Sequence, residues 1–270
     1  MKYDSKHCID CVNSKKLILI CDLDETLLSS IFMNFERLKS LNIENLDIND
    51  HYLSESYFNY IHTKLRPHLK EFLTEMSNYF ELHMMSLGNK EYVNHMLSKI
   101  DPDKRFFGDR IVCEDEIQDN NKREKVNKLF PDGDNIVCVI DDTEQVWKSY
   151  PNLSLIKRYS IFQAIGCNLI TDQLLQNEST KDIIKKSFLI ESDKDNYLVK
   201  KAKKLLEIHK NYFAELQEKK LSDSEQISKY PTVGNIMETI RISKQVKKKN
   251  ERYKSPLDLL RLIGQESGIF

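Results

Sequence analysis

The chain has 270 residues, 40% hydrophobic and 31% charged, which suits one sizeable packed domain with additions and a highly charged surface. Only 7 Gly and 6 Pro argue against a fibrous or extended disordered protein. The net charge of −1 hides an asymmetry: residues 181–254 carry 19 Lys and Arg against 11 Asp and Glu, so the remainder carries −9.

That basic segment reads first as a solvated helix face and second as an attraction for an acidic partner. No apolar run reaches the ~18 residues of a membrane span. The opening MKYDSKHCIDC lacks the apolar core of a secretory signal. A cytosolic or nuclear location, with no membrane partner, is the default expectation.

In chain order, Cys8 and Cys11 form a CxxC beside His7. A zinc site needs about four ligands and no second CxxC follows, so zinc there stays open. KLILICD (16–22) is an apolar run ending in an acid, suited to a buried strand. Residues from about 29 to 64 are mixed and read as an insertion with short elements. Pro67 opens a helix with an apolar stripe of Leu69, Phe72, Leu73 and Met76. FELHMMS (80–86) is the next strand. Tyr92, Val93, Met96, Leu97 and Ile100 stripe another helix. DRIVC (109–113) reads as a short strand and KREKVNKLF as a brief helix. NIVCVID (135–141) is a second buried strand ending in acid. Cys21 and Cys138, inside these runs, read as small buried hydrophobes.

Strands and helices alternate to about residue 150. This pattern predicts an α/β fold with a central parallel sheet, whose ligand site lies beyond the carboxyl ends of the strands. Beyond it, residues 198–213 form a helix docked on the core, 214–254 read as polar and loosely ordered, and SPLDLLRLIGQESGIF as a short amphipathic stretch.

Three strand ends carry polar residues: Asp22, Asp24 and Thr26 at the first, Ser86 at the second, Asp141 and Asp142 at the last. Singly, each has a dull reading as a helix cap or turn residue. Together they place four carboxylates at one sheet edge, where they repel and raise each other's pKa. A divalent cation relieves that repulsion, and oxygen-only ligands favour Mg²⁺. Asp22 could then attack phosphorus, and Asp24, two residues on, could act as acid and base. A fixed cation is needed for the phosphoryl oxygens; Lys122, Arg123, Lys125 and Lys128 are candidates.

LILICDLDETLL resembles the first motif of the haloacid-dehalogenase-type aspartyl phosphatases in its DxDxT form. KLRPHLKEFLTEM, FELHMMSLGNKEYVNHML, DPDKRFFGDRIV, NKLFP and VIDDTEQVWKSYPNL resemble, more narrowly, the RNA polymerase II C-terminal-domain phosphatase family, in its TFIIF-associated branch. The resemblance runs from about residue 7 to 170. It implies Asp22 as nucleophile and metal ligand, Asp24 as acid/base with its carbonyl on the metal, and Thr26 and Ser86 on phosphate oxygens. It implies Asp142, supported by Asp141, on the metal, and Lys122 on phosphate, with Lys125 second. Arg66 matches the LRP motif and is expected near the phosphate, a structural ion pair being the other reading. Ser86 departs from the usual Thr but keeps the hydroxyl.

The resemblance thus implies a magnesium-dependent protein serine phosphatase. Its substrate would be the phosphorylated C-terminal domain of RNA polymerase II, with TFIIF as a further partner, in the nucleus, with no direct nucleic-acid binding required. Residues 1–180 would be the catalytic domain and 181–270 a basic helical extension without a BRCT domain. Two other readings stay open: the same chemistry on another phosphoprotein or small phosphate ester, and a non-catalytic module that binds the polymerase tail.

Overall fold

The computed structural model describes residues 2–33, 51–56, 59–160, 172–182, 195–221 and 227–252. A helix, α1 (Ser5–Asn13), leads into β1 (Leu17–Cys21). Three strands follow, β2 (Leu28–Met33), β3 (His51–Ser56) and β4 (Asn59–Leu65). Then come α2 (Leu69–Tyr79), β5 (Phe80–Met85), α3 (Lys90–Ile100), β6 (Ile111–Val112), α4 (Lys122–Leu129), β7 (Val137–Asp141) and β8 (Leu153–Leu155). The short α5 (Asp172–Leu175) precedes two long helices, α6 (Tyr197–Glu218) and α7 (Val233–Arg252).

The main sheet has the order β6-β5-β1-β7-β8, and every adjacent pair is parallel. A parallel sheet covered by helices on its faces needs strands that are apolar throughout. LILIC in β1 and VCVID in β7 are buried at all five positions, which is why both read as continuous runs. β1 is central, with β5 on one side and β7 on the other. Its carboxyl end is therefore the point where the strand order reverses, the place such sheets keep for ligands.

The insertion is more regular than expected. It forms a second sheet, antiparallel, of order β2-β4-β3, from strands within residues 28–65, of which 34–50 and 57–58 lie outside the described residues. The backbone leaves β1 through a tight turn in which Glu25 adopts φ 59°, and the Glu25 amide donates to the Leu28 carbonyl at 2.7 Å.

The late segment also departs from expectation. α6 buries Leu198, Leu205, Ile208 and Tyr212 and packs against α2. α7 then buries Val233, Ile236, Met237 and Ile240, a stripe at helical spacing, against the core. Much of the Lys-rich stretch thus folds as an ordered helix rather than loose chain, because its apolar stripe outweighs its composition. The amphipathic stretch 255–270 lies outside the described residues. Among the described residues no helix is long and apolar enough to cross a membrane.

Candidate active site

The carboxyl ends of β1, β5 and β7 converge on one edge of the sheet, as their parallel register requires. Asp22 follows β1, Ser86 follows β5, and Asp141 ends β7 with Asp142 next to it. One oxygen from each of Asp22, Asp141 and Asp142 falls within 4.8 Å of the others. All three line a cleft of about 530 Å³, together with Asp24, Glu25 and Lys122.

Lys122 sits at the first position of α4, capped by Asn121, and is 2% exposed. Its Nζ donates to Asp22 Oδ1 at 2.6 Å and to Asp141 Oδ2 at 2.7 Å. Burial works against its charge, but the two carboxylates outweigh burial and raise its pKa. Lys125, the second candidate, turns instead to Glu116 at the surface. Asp141 also accepts from the Trp147 indole at 2.9 Å and the Thr143 amide at 2.8 Å. The lone tryptophan is therefore a buried support for the aspartate.

Asp22 is 6% exposed. Burial pushes its carboxyl up to about 8, Lys122 opposes the rise, and Asp141 adds to it. Burial likewise raises Asp24, against the hydrogen bond from Tyr92. The three clustered donors are all carboxylates, lining one cleft where their repulsion is only partly met by Lys122. That donor set fits a hard divalent cation of the Mg²⁺ or Ca²⁺ kind.

Thr26, Ser86 and Arg66, the other expected phosphate contacts, each have partners within the fold. None lines the cleft. Thr26 is fully buried; its Oγ1 accepts from the Asp142 amide at 3.1 Å. Ser86 Oγ accepts from the Gly88 amide at 2.9 Å and donates to Asp24 Oδ2 at 3.4 Å. Both hydroxyls stand behind a carboxylate and orient it. Arg66, 1% exposed, grips Asp195 with two parallel bonds of 3.0 Å. It also donates to the carbonyls of Thr26 at 2.9 Å and Lys157 at 2.7 Å. Its guanidinium thus ties Asp195, two residues before α6, to the loop after β1, which is the structural ion pair that was the other reading of the LRP arginine.

Other cleft residues carry no motif in the sequence. Tyr92 of α3, read as part of an apolar stripe, donates its hydroxyl to Asp24 Oδ1 at 2.5 Å. The same hydroxyl lies 2.9 Å from Ser30 Oγ of β2. Arg158, in the loop after β8, donates from Nε to Asp142 Oδ2 at 2.7 Å while 59% of its side chain stays exposed at the mouth. Glu25 faces the cleft with its pKa lifted by burial to about 7. Phe32, Ile61 and Leu87 give the cleft an apolar side.

This arrangement, on this fold, has relatives. The profile of the NLI interacting factor-like phosphatases matches residues 17–177, more than half of the chain. The chain belongs to that family. Within it, the chain is 36% identical over 154 residues to the human RNA polymerase II C-terminal domain phosphatase, covering 57% of this chain and 15% of that protein. It is 36% identical over 157 residues to the Caenorhabditis elegans protein of the same name, covering 57% and 23%. This family member therefore aligns with under a quarter of either relative's length. Among solved structures it is similar to Fcp1, an RNA polymerase II CTD phosphatase, with a TM-score of 0.69 and 25% identity, over 86% of this chain and 72% of that one. The fold also matches fission yeast Fcp1 bound to beryllium fluoride, with a TM-score of 0.67 and 24% identity over the same shares.

Proposed function

We propose that this chain is a magnesium-dependent protein serine phosphatase of the RNA polymerase II C-terminal domain, working through an aspartyl phosphate on Asp22. The observation that carries the reading is the cluster of Asp22, Asp141 and Asp142 at the switch point of the sheet, bridged by the buried Lys122. Family membership and the named relatives support the substrate.

Asp22 attacks phosphorus, and the seryl oxygen leaves. Asp24 supplies the proton to that oxygen, then takes one from the water that hydrolyses the acyl phosphate. A raised pKa suits Asp24 to the first task, because it must begin protonated. Lys122 meets charge on the phosphoryl oxygens from inside and Arg158 from the mouth. Asp22, Asp142 and the Asp24 carbonyl would hold Mg²⁺, with Asp141 holding Lys122 beside them; the ion would neutralise charge on the transferring group. Thr26 and Ser86 serve by fixing Asp142 and Asp24.

Tyr92 holds Asp24 in place through a single short bond. Tyr92→Phe is expected to lower kcat about 10-fold with little change in KM, since the lost hydrogen bond positions the group that transfers the proton and does not hold the peptide. Steady-state kinetics on a phosphopeptide check this. A change confined to KM would instead make Tyr92 a substrate contact.

Residues 1–180 form the catalytic unit in this reading and 181–270 the helical extension. The nucleus is its location and TFIIF a further partner, both by analogy with the family. A phosphoserine heptad-repeat peptide, with its Tyr and Pro side chains, suits a cleft with an apolar side of Phe32, Ile61 and Leu87. The test compares that peptide with a hexose phosphate. The expected preference in kcat/KM is at least ~100-fold for the peptide. A preference for the sugar phosphate would keep the chemistry and reject the substrate.

A further inference from the structure

At the opposite end of the sheet, α1 and the start of β5 bring together a second set of ligating side chains. Glu81 is five residues before Ser86 on the same strand, so roughly 16 Å separates this set from the phosphate edge. His7 and Cys11 are four residues apart on α1 and so share one helix face. His7 Nε2 lies 2.9 Å from Glu81 Oε1, and Cys11 Sγ lies 3.7 Å from His7 Nε2. One ligand atom from each of the three falls within 4.8 Å of the others.

We propose that His7, Cys11 and Glu81 bind a zinc-class divalent cation that pins α1 to β5. Imidazole, thiolate and carboxylate together select zinc and its neighbours over magnesium, which takes oxygen. The observed nitrogen-to-sulfur spacing of 3.7 Å fits two ligands held at ~2.0 Å and ~2.3 Å in a tetrahedral shell. The surroundings are built for orientation. Tyr3 packs on the His7 ring with centroids 4.6 Å apart, and His83 Nε2 lies 2.7 Å from Glu81 Oε1, a partner of the kind that supports a ligating carboxylate.

The CxxC itself is not the ligand pair. Cys8 is fully buried, and its sulfur lies so close to Gly133 that a Cβ added there would meet it at 2.2 Å. Cys11 instead borders a cavity of about 600 Å³ that also reaches His7, Asp10 and Glu81, leaving the fourth position open to water. Of the cations lining that cavity, Lys16 turns to the Ser77 carbonyl at 2.7 Å and Arg110 to those of Leu82 at 2.9 Å and Phe106 at 2.8 Å, while the Arg105 guanidinium lies over the Phe106 ring.

Cobalt is the probe that separates this site from the carboxylate cleft, because only a thiolate ligand gives a sulfur-to-metal charge-transfer band. The whole chain, stripped with chelator, is titrated with Co²⁺ in excess Mg²⁺. The expected result is a thiolate band that saturates at one equivalent and is displaced by Zn²⁺. It should survive Cys8→Ala, disappear in Cys11→Ser, and need at least ~10-fold more cobalt in His7→Ala. His7 is partly exposed, so its variant keeps the test decisive even where Cys11→Ser folds poorly. Absence of the band in the parent chain overturns the proposal. So does a band that is indifferent to His7→Ala, or one that is lost in Cys8→Ala alone.

Discussion

Asp22→Asn is expected to lower phosphate release by at least ~10³-fold while leaving the unfolding temperature within a few degrees of the parent. The two halves of this result have separate causes. An amide oxygen cannot form the acyl phosphate, and it is a weak ligand for a hard cation, so the chemistry stops. The fold keeps its packing because asparagine has the same shape and still offers an oxygen to Lys122, now 2.6 Å from Asp22. The substitution also removes a carboxylate whose ionisation burial opposes and Lys122 favours. Phosphate release and thermal denaturation of the same preparation measure both. Activity within a few-fold of the parent would end the nucleophile assignment.

Lys122→Met is expected to fail in both respects. The ammonium is 2% exposed and is shared by Asp22 and Asp141 at 2.6 and 2.7 Å. Removing it leaves two buried carboxylates facing each other across an apolar side chain. Breaking a buried pair in this way costs about 3–5 kcal/mol. Activity should fall at least ~10²-fold, because the inner cation for the phosphoryl oxygens is gone. Lys125→Met is the contrast: its partner Glu116 is at the surface, and exposed pairs contribute about 0–1 kcal/mol. Urea denaturation and phosphate release on the two variants check the difference. Equal, small effects in both would show that Lys122 is not the bridging cation of the site.

The carboxylate edge was legible because the fold writes it in simple terms. A strand buried on both faces must be apolar throughout, so LILIC and VCVID stand out, and the acids that end them fall at the same sheet edge. The residues alone left Lys122, Arg123, Lys125 and Lys128 open, and only the family resemblance favoured Lys122. Orientation was not legible. The LRP motif identifies Arg66 but does not say where the guanidinium points, and the answer depends on Asp195, 129 residues away. Tyr92 belongs to a helical stripe that reads as core, yet its hydroxyl extends past the stripe to Asp24. Arg158 lies in a loop, where no periodicity marks a side chain. In α7 the stripe of Val233, Ile236, Met237 and Ile240 covers only the first half of a helix whose second half is Lys-rich, so the segment's composition is that of a polar chain.

The measurement that tests the central claim most directly is phosphate release from a phosphoserine heptad-repeat peptide by the native chain, first with Mg²⁺ and then after chelation. Release that needs Mg²⁺, stops with chelator and returns when the ion is restored is the predicted result. Undiminished release after chelation, or none from either the peptide or a generic aryl phosphate with Mg²⁺ present, would contradict it.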